Sequence, residues 1–499
     1  MTRKALHRYG APLLYVLVFL LALATRVYHL AARPLWIDEA FSVWMARHSW
    51  QQIWMWTVRI DQHPPGYYGL LHLWGNVWGW SEAGVRTLSL LAGLLTLLPV
   101  MHMASILAGK RAALWASLLL ALSPFHVAYA QEARMYTWVT FAIALALWGA
   151  IRMVNSVRDR WGGMALGLGT AMSLWLHNMA VLFPLALVGW GYVWYRKKEE
   201  RALARPFRRT LLWSGGAWLL WMPFFVRQAR GVMHRFWIPY PTWRTLFDTF
   251  HTFHWGVAAP RELVFWAGDV MWVGVAFVGG WYLWRKGEQA RASLLATVLL
   301  LPIGMALVVS LLRPIFLPRL FLWATVPYLL LAAVGLSALS RQRRVSSLLL
   351  AGGMMALLVS AWAHYDADYT KEDWPGAVGY VASRARSGDL VLFNATWAQL
   401  PFDYYAQRVP LPVEERGIPV DLFARGELEP AMTEADVPHL LNLIRGRARV
   451  WLVYSHAWYT DPKGIIPRVL AAQMTQVAER RFVGIRVVLY SRESRVGSR

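Results

Sequence analysis

At 499 residues, with 57% apolar and only 16% charged residues, the chain is too apolar for a soluble protein of its size and suits a lipid bilayer. Its formal charge of +23 invites nucleic acid, but the basic residues gather in short segments between apolar runs, as the positive-inside rule expects of cytoplasmic loops, so nucleic acid is not a partner. The absence of cysteine removes disulfides, thiolate metal sites and a cysteine nucleophile.

Windows long enough to cross the hydrocarbon core, about 30 Å thick, recur about eleven times. They cover 11–31, 84–108, 112–128, 135–154, 162–177, 179–195, 211–226, 263–284, 292–312, 321–340 and 345–362. The first lacks a small-residue cleavage site and reads as a retained signal anchor. With Arg3, Lys4 and Arg8 on the cytoplasmic side, Lys110 and Arg111, Arg158 and Arg160, the run 196–209, Arg285 and Lys286, and Arg341, Arg343 and Arg344 all fall on that same side. An odd number of crossings then places everything after Trp362 outside the cytoplasm. The apolar stretch 66–80 is short and would spoil this parity as a span, so it is expected to lie along the outer interface, with Trp74, Trp78 and Trp80 at headgroup depth. Gly167 and Gly169 sit within a span, where small residues serve helix contact.

Residues 1–362 therefore form a transmembrane domain with outer loops at 32–83 and 227–262. Residues 363–499 change character: charges become frequent, and β-rich runs at 389–393, 449–454 and 485–490 alternate with helical ones at 375–385, 436–445 and 465–480. This alternation predicts a small extracytoplasmic α/β domain. It has no glycine loop for nucleotide phosphate, and packing or acceptor contact is its expected role. Asn394-Ala395-Thr396 fits a glycosylation acceptor triplet, a common pattern.

The polar residues at the outer ends of the spans are Asp38 and Glu39, Asp61 and His63, Arg86, Gln131, Glu132 and Arg134, His177 and Asn178, and Arg313 with Arg319. Carboxylates at a membrane face are costly unless they meet water, a cation or a substrate. Asp38 alone could serve as a helix N-cap, but one cap needs one oxygen and Glu39 points elsewhere. A transport pathway would place ionisable groups at midplane depth, and the spans are nearly free of them, which favours chemistry at the surface. Arg134 and Arg319 are the preferred phosphate contacts, because a guanidinium holds phosphate oxygens in a planar fork. His63, its backbone stiffened by Pro64-Pro65, offers a ring nitrogen to a phosphate or a metal. His251 and His254 are three apart, which is weak as a metal spacing. No metal is required by this pattern, though a divalent ion stays open as an addition.

At Asp38-Glu39, the stretch 61–68, Ser81-Glu82 with Arg86, Leu122-Ser123-Pro124-Phe125-His126, the run 131–136 and Leu317-Pro318-Arg319, the chain resembles bacterial membrane glycosyltransferases related to the dolichyl-phosphate-mannose-protein mannosyltransferases, family 39-like members of the GT-C class. Asp373-Trp374 and Asp403-Tyr404-Tyr405 match more loosely. The lipid-A aminoarabinose transferases are similar in architecture but carry a lysine where His63 stands. The resemblance implies a polytopic helical membrane protein of the plasma membrane. It also implies inverting transfer of a sugar from a polyprenyl-phosphate donor to a protein, lipid or glycan acceptor at the outer face, with Asp38 as base. Glu39, Asp61, His63, Tyr67, Glu132, Arg134, His177 and Arg319 are then the expected substrate contacts, with Glu39 and Glu132 orienting hydroxyls. A lipid-linked substrate transporter or flippase and a noncatalytic assembly protein are the alternatives. The enzyme reading further requires the acidic pair and the Glu132/Arg134 cluster to open on one outer cavity.

Overall fold

Apolar runs fold as helices in a bilayer because a helix satisfies every backbone hydrogen bond within its own segment. In the computed structural model the described residues are 3–156, 159–194, 201–234, 237–258, 261–340, 353, 357–360, 362–365, 371–422, 424 and 430–492. Among them, five helices are long and apolar enough to cross a membrane, or six if one bent pair is a single span. These are Glu82–Ala108, Tyr136–Val154, Leu263–Arg285, Gln289–Leu312 and Pro318–Leu339, with shorter apolar helices at Pro12–Val27 and Asn178–Trp194. Each coincides with an expected span.

Two expected spans are not single helices. The run 112–128 bends by 57° between Lys110–Leu122 and Pro124–Ala130, because Pro124 has no N–H to continue the ladder and Ser123 instead caps the next turn, its Oγ accepting from His126 N. The run 211–226 divides between Arg201–Trp218 and Met222–His234, with Pro223 entering the second helix at its start. The expected span 345–362 lies largely outside the described residues, so the total of about eleven remains an expectation.

The bend leaves helical carbonyls without partners, and a buried arginine meets them. Arg26 is 0% exposed and donates from Nη2 to the Leu120 carbonyl (3.0 Å) and from Nη1 to those of Ala121 (3.1 Å) and Ala22 (3.1 Å). The end of the first helix is tied in the same way: Gln131 Nε2 donates to the carbonyls of Arg26 (3.0 Å) and Tyr28 (2.6 Å), and Arg86 Nη1 to that of Leu30 (2.9 Å). Arg86 and Gln131 therefore serve the backbone. Gly169 lets two helices meet closely, since a Cβ there would stand 2.4 Å from the Ala142 carbonyl oxygen.

By packing, the chain forms two units: Met1–Leu30 with Gln62–Leu70 and Ala83–Tyr369, and Ala31–Asp61 with Leu71–Glu82 and Thr370–Arg499. The loop predicted over 32–83 divides between them.

The second unit contains a five-stranded sheet in the order β2-β1-β3-β5-β4, where β1 is Leu390–Phe393, β2 Glu414–Gly417, β3 Arg449–Ser455, β4 Thr475–Phe482 and β5 Ile485–Ser491. The first three run parallel and the last two pair antiparallel. Leu390, Leu392, Val450, Leu452 and Val488 pack with Leu440, Ile444, Ile465, Ile466 and Leu470 of the covering helices. The helix expected over 465–480 ends at Gln473, and its last third is edge strand β4. Gly484, at φ 74°, turns that strand back onto β5, while Arg480 and Arg481 face solvent as charged edges do. Asn394 is 0% exposed and bonded to Ser455 and Thr460, which closes it as a glycosylation acceptor.

Candidate active site

In the second unit, the helix Ile37–Ala46 carries the acidic pair in its first turn, where the macrodipole favours negative charge. Its N-cap is Trp36, which supplies no side-chain cap, so Asp38 is not the capping residue. Asp38 is half-buried, whereas Glu39 is 1% exposed. Of the pair, Asp38 is the more exposed. Glu39, expected to orient a substrate hydroxyl, is buried along with Ala40 and Val43. Asp61 is likewise buried, at 6% exposed, just past the helix Trp50–Arg59. Two further parts of the resemblance meet in this unit: Arg408 pairs with Glu82 at 2.9 Å and lies over the Tyr404 and Tyr405 rings, while the Tyr404 hydroxyl donates to the Trp80 carbonyl (2.8 Å).

In the first unit, His63, Arg134, His177 and Arg319 gather. The His63 and His177 rings are 4.5 Å apart, and His177 lies 5.9 Å from Tyr136. Arg134 stands 5.9 Å over the Tyr136 ring and Arg319 5.4 Å over that of Trp237. Local sequence explains each placement. Gly66 follows Pro64-Pro65 because a Cβ there would strike the Trp175 carbonyl oxygen at 2.4 Å. Asn178 Nδ2 donates to the Gln62 carbonyl (2.8 Å) and to Gln228 Oε1 (2.7 Å), and its Oδ1 accepts from Trp221 (3.1 Å), so the loop before His63 is clamped from two helices. Arg134 sits in a tight turn, its N–H donating to the Glu132 carbonyl (2.8 Å), and Pro318 opens the 3-10 turn bearing Arg319. Tyr67, an expected substrate contact, is 0% exposed. Its hydroxyl lies 3.5 Å from Ser89 Oγ, which in turn donates to the Arg134 carbonyl (3.0 Å), so it supports the turn.

The electrostatics suit an anion. Burial first, then competition with His177 for a proton and the charge of the Arg134 and Arg319 guanidiniums, hold the His63 imidazole well below its ordinary pKa, hence neutral. His177 Nδ1 accepts from the Met179 N–H (3.0 Å), so in the neutral ring Nε2 carries the proton, and that buried N–H has no partner among the described residues. Guanidiniums beside neutral imidazoles are residue types that can hold phosphate oxygens.

His251 and His254 turn out to face a carboxylate. Their Nδ1 atoms lie 2.7 and 2.6 Å from the two Asp269 oxygens, the Trp255 indole donates to Asp269 (2.7 Å), and His254 Nε2 meets the Tyr328 hydroxyl at 2.6 Å. Among the described residues no group of three or more His, Asp or Glu is arranged to hold a metal ion. Asp269→Ala leaves several buried donors unanswered and should destabilise the protein by about 3 kcal/mol or more. A thermal melt in detergent checks this, and an unchanged midpoint contradicts it.

Residues 62–224 match the family described as dolichyl-phosphate-mannose-protein mannosyltransferase. Among solved structures, ArnT from Cupriavidus metallidurans in the apo state is similar at 14% identity with a TM-score of 0.64, covering 98% of each chain. The same protein bound to undecaprenyl phosphate is similar at 15% identity and TM-score 0.63, covering 97% of this chain and 99% of that one. AglB, the oligosaccharyltransferase of Archaeoglobus fulgidus, in complex with an inhibitory peptide and a dolichol-phosphate, is similar at 11% identity and TM-score 0.57, over 98% of this chain and 75% of that one. No curated protein sequence matches the chain. The fold, mostly helical with several apolar helices and a small sheet near the C-terminus, is thus shared with ArnT and AglB.

Proposed function

We propose that this chain is an inverting glycosyltransferase that moves a sugar from a polyprenyl-phosphate-linked donor to an acceptor at the extracytoplasmic face of the plasma membrane. The reading is carried by the Arg134/Arg319 pair beside the His63 and His177 rings, a phosphate cradle in a fold shared with a protein solved bound to undecaprenyl phosphate. Such a donor keeps its lipid in the bilayer and brings its phosphate to headgroup level, so no soluble nucleotide site is needed. Asp38 accepts the proton of the acceptor hydroxyl as its oxygen attacks the anomeric carbon, with inversion. The bond from that carbon to the phosphate oxygen breaks, and Arg134, Arg319 and the His177 N–H take up the charge that develops on the leaving polyprenyl phosphate. Glu132 orients a sugar hydroxyl, and Glu39, Asp61 and Tyr67 act from buried positions.

The guanidinium pair supplies the positive charge that a divalent ion otherwise supplies, so the reaction needs no metal. The N-terminus is cytoplasmic and residues 363–499 lie outside, with a protein, lipid or glycan as acceptor. The test is mass spectrometry of products after incubating membranes with a panel of polyprenyl-phosphate sugars. A glycosylated acceptor is expected; movement of the lipid-linked sugar across the bilayer with no transfer product would favour a flippase.

A further inference from the structure

The helix bearing Asp38 begins without a cap of its own, and its missing acceptor comes from far along the chain. Glu372, 4% exposed, accepts from the Ile37 N–H at 2.9 Å through Oε2, the same oxygen that accepts from the Trp374 indole at 2.6 Å. The segment just before the helix is held on both sides of that bond: Lys371 stands 3.7 Å over the Trp36 ring, and the Leu35 N–H donates to the Tyr405 hydroxyl (2.7 Å). Glu372 is in turn fixed by the sheet. His456, at the end of β3 in a left-handed conformation (φ 52°), brings Nε2 to 3.5 Å from Glu372 Oε1, and Asp373 N–H donates to the Val483 carbonyl (3.0 Å) in the β4–β5 turn. Gly484 completes the fit, since a Cβ there would lie 3.0 Å from Glu372 Cγ. All these residues belong to the second unit.

We propose that Glu372 is a positioning residue for the base: it caps the Ile37–Ala46 helix from outside and couples the orientation of Asp38 to the terminal sheet. This rests on the assignment of Asp38 as base. Burial raises the Glu372 pKa, opposed by His456, Trp374 and the Ile37 N–H and reinforced by the nearby Asp38 charge, so the two carboxyls sense each other. A helix that rocked at its first turn would swing Asp38 out of line with the acceptor oxygen, and misplacements near 1 Å cost about 100-fold in rate. The terminal domain thereby acquires a part in catalysis without touching substrate.

The experiment compares Glu372→Ala and Glu372→Gln in the full-length protein in lipid, reading transfer kinetics and amide hydrogen exchange over residues 36–40. Glu372→Ala is expected to lower kcat at least roughly 10-fold with donor KM within about twofold, and to speed exchange at 36–40. Glu372→Gln keeps an acceptor oxygen for Ile37 and should recover most of kcat. Where Glu372→Ala does not fold, Trp374→Phe removes the indole donor while filling its space, and should give the same pattern at smaller size. Unchanged kcat, a defect confined to KM, or unaltered exchange at 36–40 overturns the proposal. Asp38→Asn run alongside separates the two ideas: full transfer by that variant removes the base assignment, whereas the exchange data read the anchoring whether or not sugar is transferred.

Discussion

Asp38→Asn is expected to lower kcat for sugar transfer by roughly 10²–10⁴-fold while donor affinity and melting temperature stay near those of the parent. Asparagine is isosteric and can still accept a hydrogen bond, so the helix Ile37–Ala46 keeps its start, which is capped by Glu372 and not by residue 38. What disappears is the capacity to take a proton. The glycosyl acceptor is a weak nucleophile until its hydroxyl proton begins to leave, so the loss falls on the chemical step. Steady-state kinetics with thermal melts of both proteins check this. A variant that transfers at the parent rate removes Asp38 from the chemistry, and one that melts early makes its role structural.

Arg319→Ala and Arg134→Ala should each weaken donor turnover strongly, lowering kcat/KM for the polyprenyl-phosphate sugar by roughly 10²–10³-fold, with acceptor KM little changed. Their guanidiniums act on the buried, neutral His63 ring, which stands 4.5 Å from that of His177. Because a fork that grips oxygens in a plane differs from a point charge, Arg319→Lys should recover only part of the loss. The Trp237 ring under Arg319 sharpens this, since it orients a flat guanidinium better than an ammonium. Titration with a non-hydrolysable donor analogue separates binding from chemistry. Equal donor affinity in both alanine variants and the parent contradicts the cradle.

Much of this architecture was legible in the sequence because bilayer spans depend on local composition. Glu82–Ala108, Leu263–Arg285 and Gln289–Leu312 announce themselves through unbroken apolar runs. Pro124 and Pro223 are legible as punctuation, but apolarity continues on both sides of each proline and so resembles an unbroken span. The segment 475–482 misled for the opposite reason: its charges suit a solvated helix face as well as an edge strand, and pairing with β5 decided between them. The candidate residues Asp38, His63, Arg134, His177 and Arg319 could be named from charge at span ends. Burial could not: Glu39, Tyr67, Arg134 and His177 all prove to be interior. Glu372 was invisible for a plainer cause. Its bond to Ile37 joins residues 335 positions apart, and no local pattern encodes such a contact, although the adjacent Asp373-Trp374 belongs to the looser part of the resemblance.

The most direct test is to reconstitute the purified protein in vesicles with a radiolabelled polyprenyl-phosphate sugar and an acceptor extract, and to follow both products. Free polyprenyl phosphate and glycosylated acceptor should appear one for one, with the opposite anomeric configuration from the donor, and both should vanish together in Asp38→Asn. Lipid-linked sugar that reaches the other leaflet intact, with neither product formed, would contradict the account.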